Sequence, residues 1–221
     1  MTYTLTQRAV AEFIGTALLV ATVVGSGIMA ERLAGGNVAL ALLANTIATS
    51  AGLVALILTF GGISGAHFNP VVTAAAAVGG SGNRRDALTY VTAQVSGGAV
   101  GTLMAHGMFA EPLLMLSRHA RAGAPQIFSE FVATFGLLAV IKGCSRHRPD
   151  ATPFAVAAFI AAAYWFTAST SFANPAVTLA RALTDTFAGI RPGDVPGFIA
   201  GQIAGAAAAT WLFSWLSPVQ D

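Results

Sequence analysis

Residues 64–73 of the chain read Ser-Gly-Ala-His-Phe-Asn-Pro-Val-Val-Thr, and the Asn-Pro pair within this stretch decides the fold. Asn69 is a residue type favoured at a helix N-cap, and Pro70 suits the first helical position, where its missing N–H would have no partner. The pair therefore predicts a half-helix over 69–78, along the apolar run that ends at Val78. A helix of about ten residues is only about 15 Å long, half of the hydrocarbon thickness of a bilayer.

A second copy of this arrangement lies later in the chain. Residues 167–175 read Thr-Ala-Ser-Thr-Ser-Phe-Ala-Asn-Pro, and another apolar run follows. Asn174 and Pro175 predict a second half-helix over 174–184 on the same grounds. One Asn-Pro pair alone is compatible with a plain helix cap at the membrane interface. Two copies at matching places favour a paired, functional arrangement instead.

Composition places the chain in a bilayer. Of its 221 residues, 55% are hydrophobic and only 9% are charged, whereas about a quarter of the residues in a soluble domain are charged. The first apolar stretch contains Glu12 and is long for a cleaved leader, so we interpret it as a true span. Stretches long enough to cross about 30 Å of hydrocarbon as helices lie near 9–30, 39–60, 87–109, 127–144, 153–169 and 196–216.

The chain also repeats itself in order. The segment Ala-Glu-Phe-Ile-Gly-Thr around Glu12 matches Ser-Glu-Phe-Val-Ala-Thr around Glu130, and the surroundings of Gln94 match those of Gln202. Each half contains three spans, so the second half starts from the opposite face, as in inverted-repeat membrane proteins with a site near the midplane. We predict a first repeat over 1–110, a connecting loop over 111–126 and a second repeat over 127–221.

Inversion brings the N-termini of the two half-helices together at the midplane. Each N-terminus carries roughly half a positive charge from the helix dipole, which repels a cation, whereas a neutral molecule accepts hydrogen bonds from the Asn69 and Asn174 amides. The extended backbone expected at 61–68 and 167–173 is tolerated at this depth only when it lines a cavity or is buried in protein. Its free carbonyl groups would then serve as acceptors for a passing solute.

These segments resemble the two signature loops of the aquaporin, or major intrinsic protein, family, and the resemblance covers essentially the whole chain. It implies an all-α membrane protein with six transmembrane helices and two re-entrant half-helices in an inverted repeat. It also implies a homotetramer with one pore per subunit, passive passage of water and small neutral solutes, no enzymatic activity and no cofactor. The pore signature would be Asn69, Pro70, Val71, Asn174, Pro175 and Ala176, and the pore lining Gly65, Ala66, His67, Ser169 and Thr170.

Two positions depart from the family pattern. Val71 replaces the alanine that normally completes the first signature, and Val177 replaces an arginine that normally projects into the narrowest part of the pore. The family's spacing assigns Thr49, Ala162 and Ser171 to the rest of this selectivity filter, although the position of Ala162 requires an alignment without gaps. All four filter residues are small and uncharged, so we predict a filter wider than that of a water-only channel.

A wider filter favours solutes larger than water, such as polyols, urea-like molecules and neutral metalloid hydroxides including arsenous acid. The filter resembles that of bacterial aquaporins associated with arsenic resistance. Without the arginine, exclusion of protons and anions would rest mainly on the half-helix ends, and passage of a weakly acidic or anionic solute stays open. The alternative is a secondary active transporter, which also uses inverted repeats and broken helices but normally needs ion-binding groups at its site.

Five polar residues need separate interpretation. Glu12 and Glu130 lie inside apolar runs, where carboxylates usually mark function. The resemblance implies that they hold the N–H groups of the re-entrant loops, with a proton relay as the alternative. His67 has no second ligand at metal-binding spacing, so we predict no metal site. Arg181 and Asp185 are spaced to pair across one helical turn, and Arg181 lies about one turn too far outward for the missing filter arginine.

Charge narrows the partners and the location. The net charge is +2, and the scattered basic residues argue against nucleic acid as a partner. The expected partners are the lipid bilayer, water and small neutral solutes. The loops on the same side of the membrane as the termini contain slightly more Lys and Arg than those on the other side, which favours cytoplasmic termini. We expect a multi-pass protein of the bacterial inner (plasma) membrane.

Overall fold

The computed structural model of the chain describes residues 3–79 and 84–216. Within these ranges the regular structure is helical, with two short 3₁₀ turns at Pro149–Ala151 and Pro192–Asp194. The helices are α1 (Leu5–Leu33), α2 (Val38–Ser64), α3 (Pro70–Val78), α4 (Arg84–Phe109), α5 (Ala124–His147), α6 (Thr152–Phe166), α7 (Pro175–Arg181) and α8 (Val195–Leu216).

Six of the described helices are long and two are short. By length and composition alone, four are able to cross a membrane: α1, α2, α5, and α8 together with the turn before it. α4 is long but begins with charged residues, and α6 has 15 residues, about 22 Å of helix. α6 ends at Phe166 rather than near 169, because the chain becomes extended at Thr167 and turns into the second re-entrant loop.

Both short helices begin where the Asn-Pro pairs predict, but three boundaries differ from expectation. α7 ends at Arg181, before the predicted 184, because the N–H groups of Ala182 and Leu183 bond to carbonyls three residues back and close the helix with a tighter turn. α2 continues to Ser64, so the non-helical backbone begins at Gly65 rather than at 61. α5 begins at Ala124, so the end of the connecting loop predicted at 111–126 is helical.

The two halves of the chain pack in the same way. α1 packs against α2 and α4, and α5 packs against α6 and α8. α7 of the second half lies against α4, and α3 of the first half contacts α8, so each half-helix also touches the other half. The halves are therefore interlocked around the half-helices.

Small residues permit the close approach of the long helices. A Cβ atom on Gly97 or Gly101 of α4 would overlap the backbone of α1 at Phe13 or Ala17. The corresponding glycines of α8, Gly201 and Gly205, lie equally close to the backbone of α5 at Ile127 and Phe131. In a bilayer such contacts replace the hydrophobic driving force for helix association, because lipid is as apolar as the helix surfaces.

Candidate functional site: a pore between the half-helices

A cavity of about 380 Å³ lies between the two half-helices and the long helices α1, α2, α5 and α6. One end is bordered by Lys142, Ser145 and Thr152, where α5 ends and α6 begins; we call it the Lys142 mouth. The other end is bordered by Phe172 and by Arg181 at the end of α7; we call it the Arg181 mouth. Both Asn69 and Asn174 border the cavity between the mouths.

The two asparagines cap their own half-helices and also bind the opposite loop. The Oδ1 atom of Asn69 accepts the Val71 N–H at 3.1 Å, and that of Asn174 accepts the Ala176 N–H at 3.0 Å. The Nδ2 of Asn69 donates to the Ala173 carbonyl, and the Nδ2 of Asn174 donates to the Phe68 carbonyl, each at 2.8 Å. A side-chain amide has two N–H groups, so each asparagine keeps one donor for a solute in the cavity.

Glu12 anchors the first re-entrant loop from α1. Its buried carboxylate accepts the His67 N–H at 2.9 Å and the Phe68 N–H at 2.7 Å. It also accepts the hydroxyl of Ser64 at 2.6 Å and the side-chain amide of Gln94 at 2.8 Å. Four donors thus surround one carboxylate, which offsets the cost of burying it in the bilayer.

Glu130 forms the same arrangement in the second half. It accepts the N–H groups of Phe172 and Ala173 at 2.9 and 2.8 Å, together with the Ser169 hydroxyl and the Gln202 amide, both at 2.6 Å. Gln202 bridges onward to the Thr178 hydroxyl of the half-helix at 2.8 Å, as Gln94 does to Thr73 at 2.9 Å. The predicted loop-support residues therefore contact the loops that the resemblance implies.

The re-entrant loops have a left-handed backbone at matching places. Ala66 and Phe68 have φ values of 48°, and Ser171 and Ala173 have values of 51° and 48°. Such conformations cost of order 1–3 kcal/mol for a residue other than glycine, so they persist only where the surroundings fix them. The hydrogen bonds to Glu12 and Glu130 provide that restraint.

The structure brings three of the four predicted filter residues to the cavity wall. Thr49, Ser171 and Val177 border the cavity, but Ala162 does not and is exposed on the outer surface of α6. Tyr164 takes its place, and its hydroxyl lies 3.3 Å from the Thr49 hydroxyl. The assignment of Ala162 is corrected because Ile160 and Tyr164 of α6 face the cavity, and a residue two positions from each of them lies about 200° around the helix, on the opposite face.

The predicted pore-lining residues of the first loop border the cavity, whereas those of the second loop do not. Gly65, Ala66 and His67 border the cavity. Ser169 and Thr170 do not border the cavity. The Ser169 hydroxyl donates to Glu130 instead, and the Ser169 side chain is fully buried. Of the signature residues other than the asparagines, the cavity wall contains none: Pro70, Val71, Pro175 and Ala176 lie behind it.

Arg181 is a cavity residue that the sequence-based interpretation placed elsewhere. It does not pair with Asp185, because α7 ends at Arg181 and the chain leaves the helical path. Its Nε donates to the Ala188 carbonyl, and its guanidinium carbon lies 3.3 Å from the centre of the Phe172 ring. Arg118 binds Asp185 instead, through its N–H and its side chain, and both hydrogen bonds hold the pKa of that carboxyl below its usual value.

Most of the remaining cavity wall is apolar and was not identified from the sequence. These residues lie on four different helices, and only the helix packing shows which of them face inward. Periodicity does not single them out, because a membrane helix is apolar on all sides. They include Leu19, Val23, Leu53, Ile57, Leu137, Val156 and Ile160.

Comparison with known proteins agrees with this geometry. A model of the major intrinsic protein family matches residues 1–153. Aquaglyceroporin AqpS of Rhizobium meliloti (strain 1021) is 56% identical over 193 residues, which cover 87% of this chain and 82% of that protein. Aquaporin TIP1-1 of Arabidopsis thaliana is 33% identical over 192 residues, covering 80% of this chain and 75% of that protein.

The fold agrees as well. The X-ray structure of the aquaglyceroporin from Plasmodium falciparum matches with a TM-score of 0.72 over 95% of this chain and 96% of that one, at 18% identity. Paired Asn-Pro half-helices that meet in an inverted helical repeat define a membrane channel, and the protein is a channel rather than an enzyme. The chain belongs to the major intrinsic protein family. The family and the all-α aquaporin-like fold expected from the sequence are thereby confirmed.

Proposed function

We propose that the channel passes water and larger uncharged molecules, such as glycerol-like polyols and neutral metalloid hydroxides, down their gradients. The observation that carries this proposal is Val177, a short apolar side chain in the cavity wall where the family usually has an arginine. A guanidinium there would occupy space and fix a positive charge. Thr49, Tyr164 and Ser171 supply the remaining filter contacts, and of these only Tyr164 is large.

The wall chemistry suits a solute that is polar on one side and apolar on the other. The loops and half-helix starts present donors and acceptors, among them Asn69, Asn174 and the Ser171 hydroxyl, which is buried without a protein partner. The long helices present aliphatic side chains such as Leu53 and Ile160. A polyol has hydroxyl groups along one edge and carbon atoms along the other, so it fits this division. A neutral metalloid hydroxide has a similarly compact set of hydroxyl groups.

The electrostatics of the cavity act against cations. The half-helices direct their N-termini, with roughly half a positive charge each, at the cavity centre. No Asp or Glu side chain lies among the described residues of the wall, because Glu12 and Glu130 are turned to the loops. A proton or metal cation would therefore meet positive potential without a counter-charge. The names of the relatives AqpS and the P. falciparum protein, both aquaglyceroporins, also support a solute larger than water.

The decisive experiment restores the arginine. In proteoliposomes exposed to a glycerol gradient, Val177→Arg should lower the glycerol-driven swelling rate at least about tenfold, equivalent to about 1.4 kcal/mol of added barrier, while water permeability falls less. Val177→Met is the matched control for side-chain size without charge, and it should retain most of the glycerol flux. Unchanged glycerol and arsenous acid uptake in Val177→Arg would remove Val177 from the filter.

The same vesicles distinguish a channel from a secondary active transporter. Flux through a channel is insensitive to proton and sodium gradients, and the internal solute concentration never exceeds the external one. Accumulation of glycerol against its gradient when a proton gradient is imposed would favour the transporter.

We further propose that the protein forms a homotetramer in a bacterial inner membrane with its termini in the cytoplasm. Large apolar side chains on the outside of the long helices, such as Leu40, Ile47, Trp211 and Trp215, provide surface for lipid and for neighbouring subunits. Chemical crosslinking in membranes tests the oligomer. Protease accessibility of a tag at either terminus in sealed vesicles tests the orientation.

A further inference from the structure

Arg181 is a buried cation at the end of the second half-helix. Only 3% of its surface is exposed, and within the described residues it forms no ion pair. Its Nε is held by the Ala188 carbonyl, while its two terminal nitrogens make no hydrogen bond to the described protein and open onto the cavity that the residue borders. Buried charges normally have a partner, so these nitrogens are poised for a ligand.

A second guanidinium lies next to the first. Arg121 of the connecting segment has its guanidinium carbon 5.1 Å from the centre of the Phe172 ring, the ring on which Arg181 is stacked. Its Nε donates to the Gly189 carbonyl at 2.8 Å and an Nη to the Ser169 carbonyl at 3.4 Å. Within the part of the chain that the structure describes, the Arg121 side chain forms no ion pair with a carboxylate, and it adds positive charge at the Arg181 mouth.

The acidic groups nearby are already bound by other donors. Glu130 accepts three donors of the second loop and the Gln202 amide of α8, all of them neutral, so it keeps its negative charge. Asp194 binds the Arg191 side chain at 2.8 Å and the backbone N–H of Arg121 at 2.8 Å. Asp185 binds Arg118 at 2.7 Å. The two guanidiniums of Arg121 and Arg181 thus face one carboxylate, Glu130, that has no cationic partner of its own among the described residues. A net positive charge remains at this mouth and is available to an anion that enters the cavity.

We propose that Arg181 forms a binding site in the cavity wall for a small monoanion whose oxygens are arranged like those of a carboxylate or sulfonate. The planar guanidinium matches two such oxygens at once, and the Phe172 ring and the Ala188 carbonyl fix its orientation. Val177, one helical turn before Arg181, is short and leaves room for the rest of the anion. Because the site borders the cavity, a bound anion obstructs neutral solutes. This inference goes beyond the proposed passage of neutral solutes.

The probe for this site is methanesulfonate, which stays ionised at all usable pH values and does not cross lipid as a neutral acid. Glycerol-driven swelling of proteoliposomes is measured with increasing methanesulfonate, while chloride, a monoanion without paired oxygens, keeps the ionic strength constant. The swelling rate of the unmodified channel should fall about twofold at ~10 mM methanesulfonate, as expected for a single blocking site with a Kd of about 10 mM. Higher total salt should weaken the block, because the site is reached through water.

Three variants locate the site. Arg181→Gln should lose the block, and Arg181→Lys should retain a weaker one, because it keeps the charge but not the fork. Arg118→Gln is the control, since Arg118 is an exposed arginine near the same mouth that is already paired with Asp185, and it should be blocked like the unmodified channel. Equal block in Arg181→Gln and the unmodified channel would overturn the proposal, as would no block in either.

A binding measurement separates this proposal from the question of glycerol flux. Saturation-transfer NMR detects the methyl protons of methanesulfonate on the detergent-solubilised protein, whatever the channel conducts. A signal from the unmodified protein that disappears in Arg181→Gln, in a variant with an unchanged melting temperature, supports the site even if glycerol proves not to be a solute. Absence of a signal from the unmodified protein overturns it.

Discussion

The two repeats share one scaffold but differ at the mouths they form. In both, a buried glutamate accepts two loop N–H groups, a serine hydroxyl and a glutamine amide. The residue two before each signature asparagine borders the cavity in both, yet it is His67 in the first repeat and Phe172 in the second. The loop supports are thus duplicated, whereas the residues that a solute touches have diverged.

The half-helices show the same contrast one turn further along. Val72 and Val177 occupy equivalent positions and both border the cavity, but the cavity residue four positions further on is Ala76 in the first repeat and Arg181 in the second. The Arg181 mouth therefore has a fixed cation at the end of its half-helix, where the Lys142 mouth has a methyl group. The two mouths therefore carry their cations on different elements, Arg181 on a half-helix and Lys142 on the long helix α5, although the architecture is two-fold.

The largest effects should follow from removing the shared scaffold. Glu12→Ala and Glu130→Ala each leave four buried donors without their acceptor, at about 1–3 kcal/mol for each unsatisfied group. We expect both variants to lose most of their thermal stability in detergent and all glycerol flux. Glu12→Gln and Glu130→Gln, which keep one acceptor oxygen, should fall between these variants and the unmodified protein.

Equal losses of thermal stability in Glu12→Ala and Glu130→Ala would show that the two glutamate networks contribute equally. Glu31→Gln is the control, because Glu31 is an exposed glutamate at the end of α1 and should melt like the unmodified protein. If Glu12→Ala were to unfold the protein while Glu130→Ala did not, the two networks would not be energetically equivalent, whatever their geometry.

A smaller effect is expected at a contact between a long helix and a re-entrant loop whose residues differ between the repeats. A Cβ atom on Gly15 would overlap the buried ring of Phe68, whereas the second repeat has Ala133 and Ala173 at these places, in one core cluster. Gly15→Ala should therefore cost about 1–3 kcal/mol by overpacking. Phe68→Ala should cost about 3–5 kcal/mol by leaving a cavity.

The double variant converts the first repeat to the pattern of the second. Adding Gly15→Ala to Phe68→Ala should cost nothing further, because the ring that it would strike is gone. Melting temperatures of the four proteins complete the cycle. Additive losses would show that the cost of Gly15→Ala does not arise from overlap with the Phe68 ring.

These contrasts also explain what the sequence was able to predict. The Asn-Pro starts of both half-helices follow from local capping chemistry, so α3 and α7 begin where expected. Tyr164 and the apolar wall were missed, because they depend on how each helix is rotated about its axis, which only the helix packing determines. The end of α7 was missed for a related reason: spacing predicts a pair between Arg181 and Asp185 only if the helix continues, and the tertiary contacts of Arg181 with Ala188 and Phe172 end it.

The smallest expected effect concerns the ion pair between Arg118 of the connecting loop and Asp185 of the second repeat. Arg118 lowers the pKa of Asp185 through its backbone N–H and then its side chain. A carboxyl with a lowered pKa in the folded state stabilises that state above its unfolded pKa of about 3.9 and loses this contribution as the pH falls through the folded value. Asp185→Asn should therefore melt slightly below the unmodified protein from pH 5 to 8, with a constant difference.

That difference should shrink only in acid. Once the pH is below the lowered folded-state pKa, the carboxyl is protonated in the folded and unfolded states alike, so the two proteins should converge there if they remain soluble in detergent. The shift should be smaller than any produced at Gly15, because Arg118 is largely exposed and water screens the pair. Glycerol flux should be unaffected, since neither Arg118 nor Asp185 borders the cavity. A difference in melting temperature that grew between pH 8 and 5 would assign the effect to another titrating group.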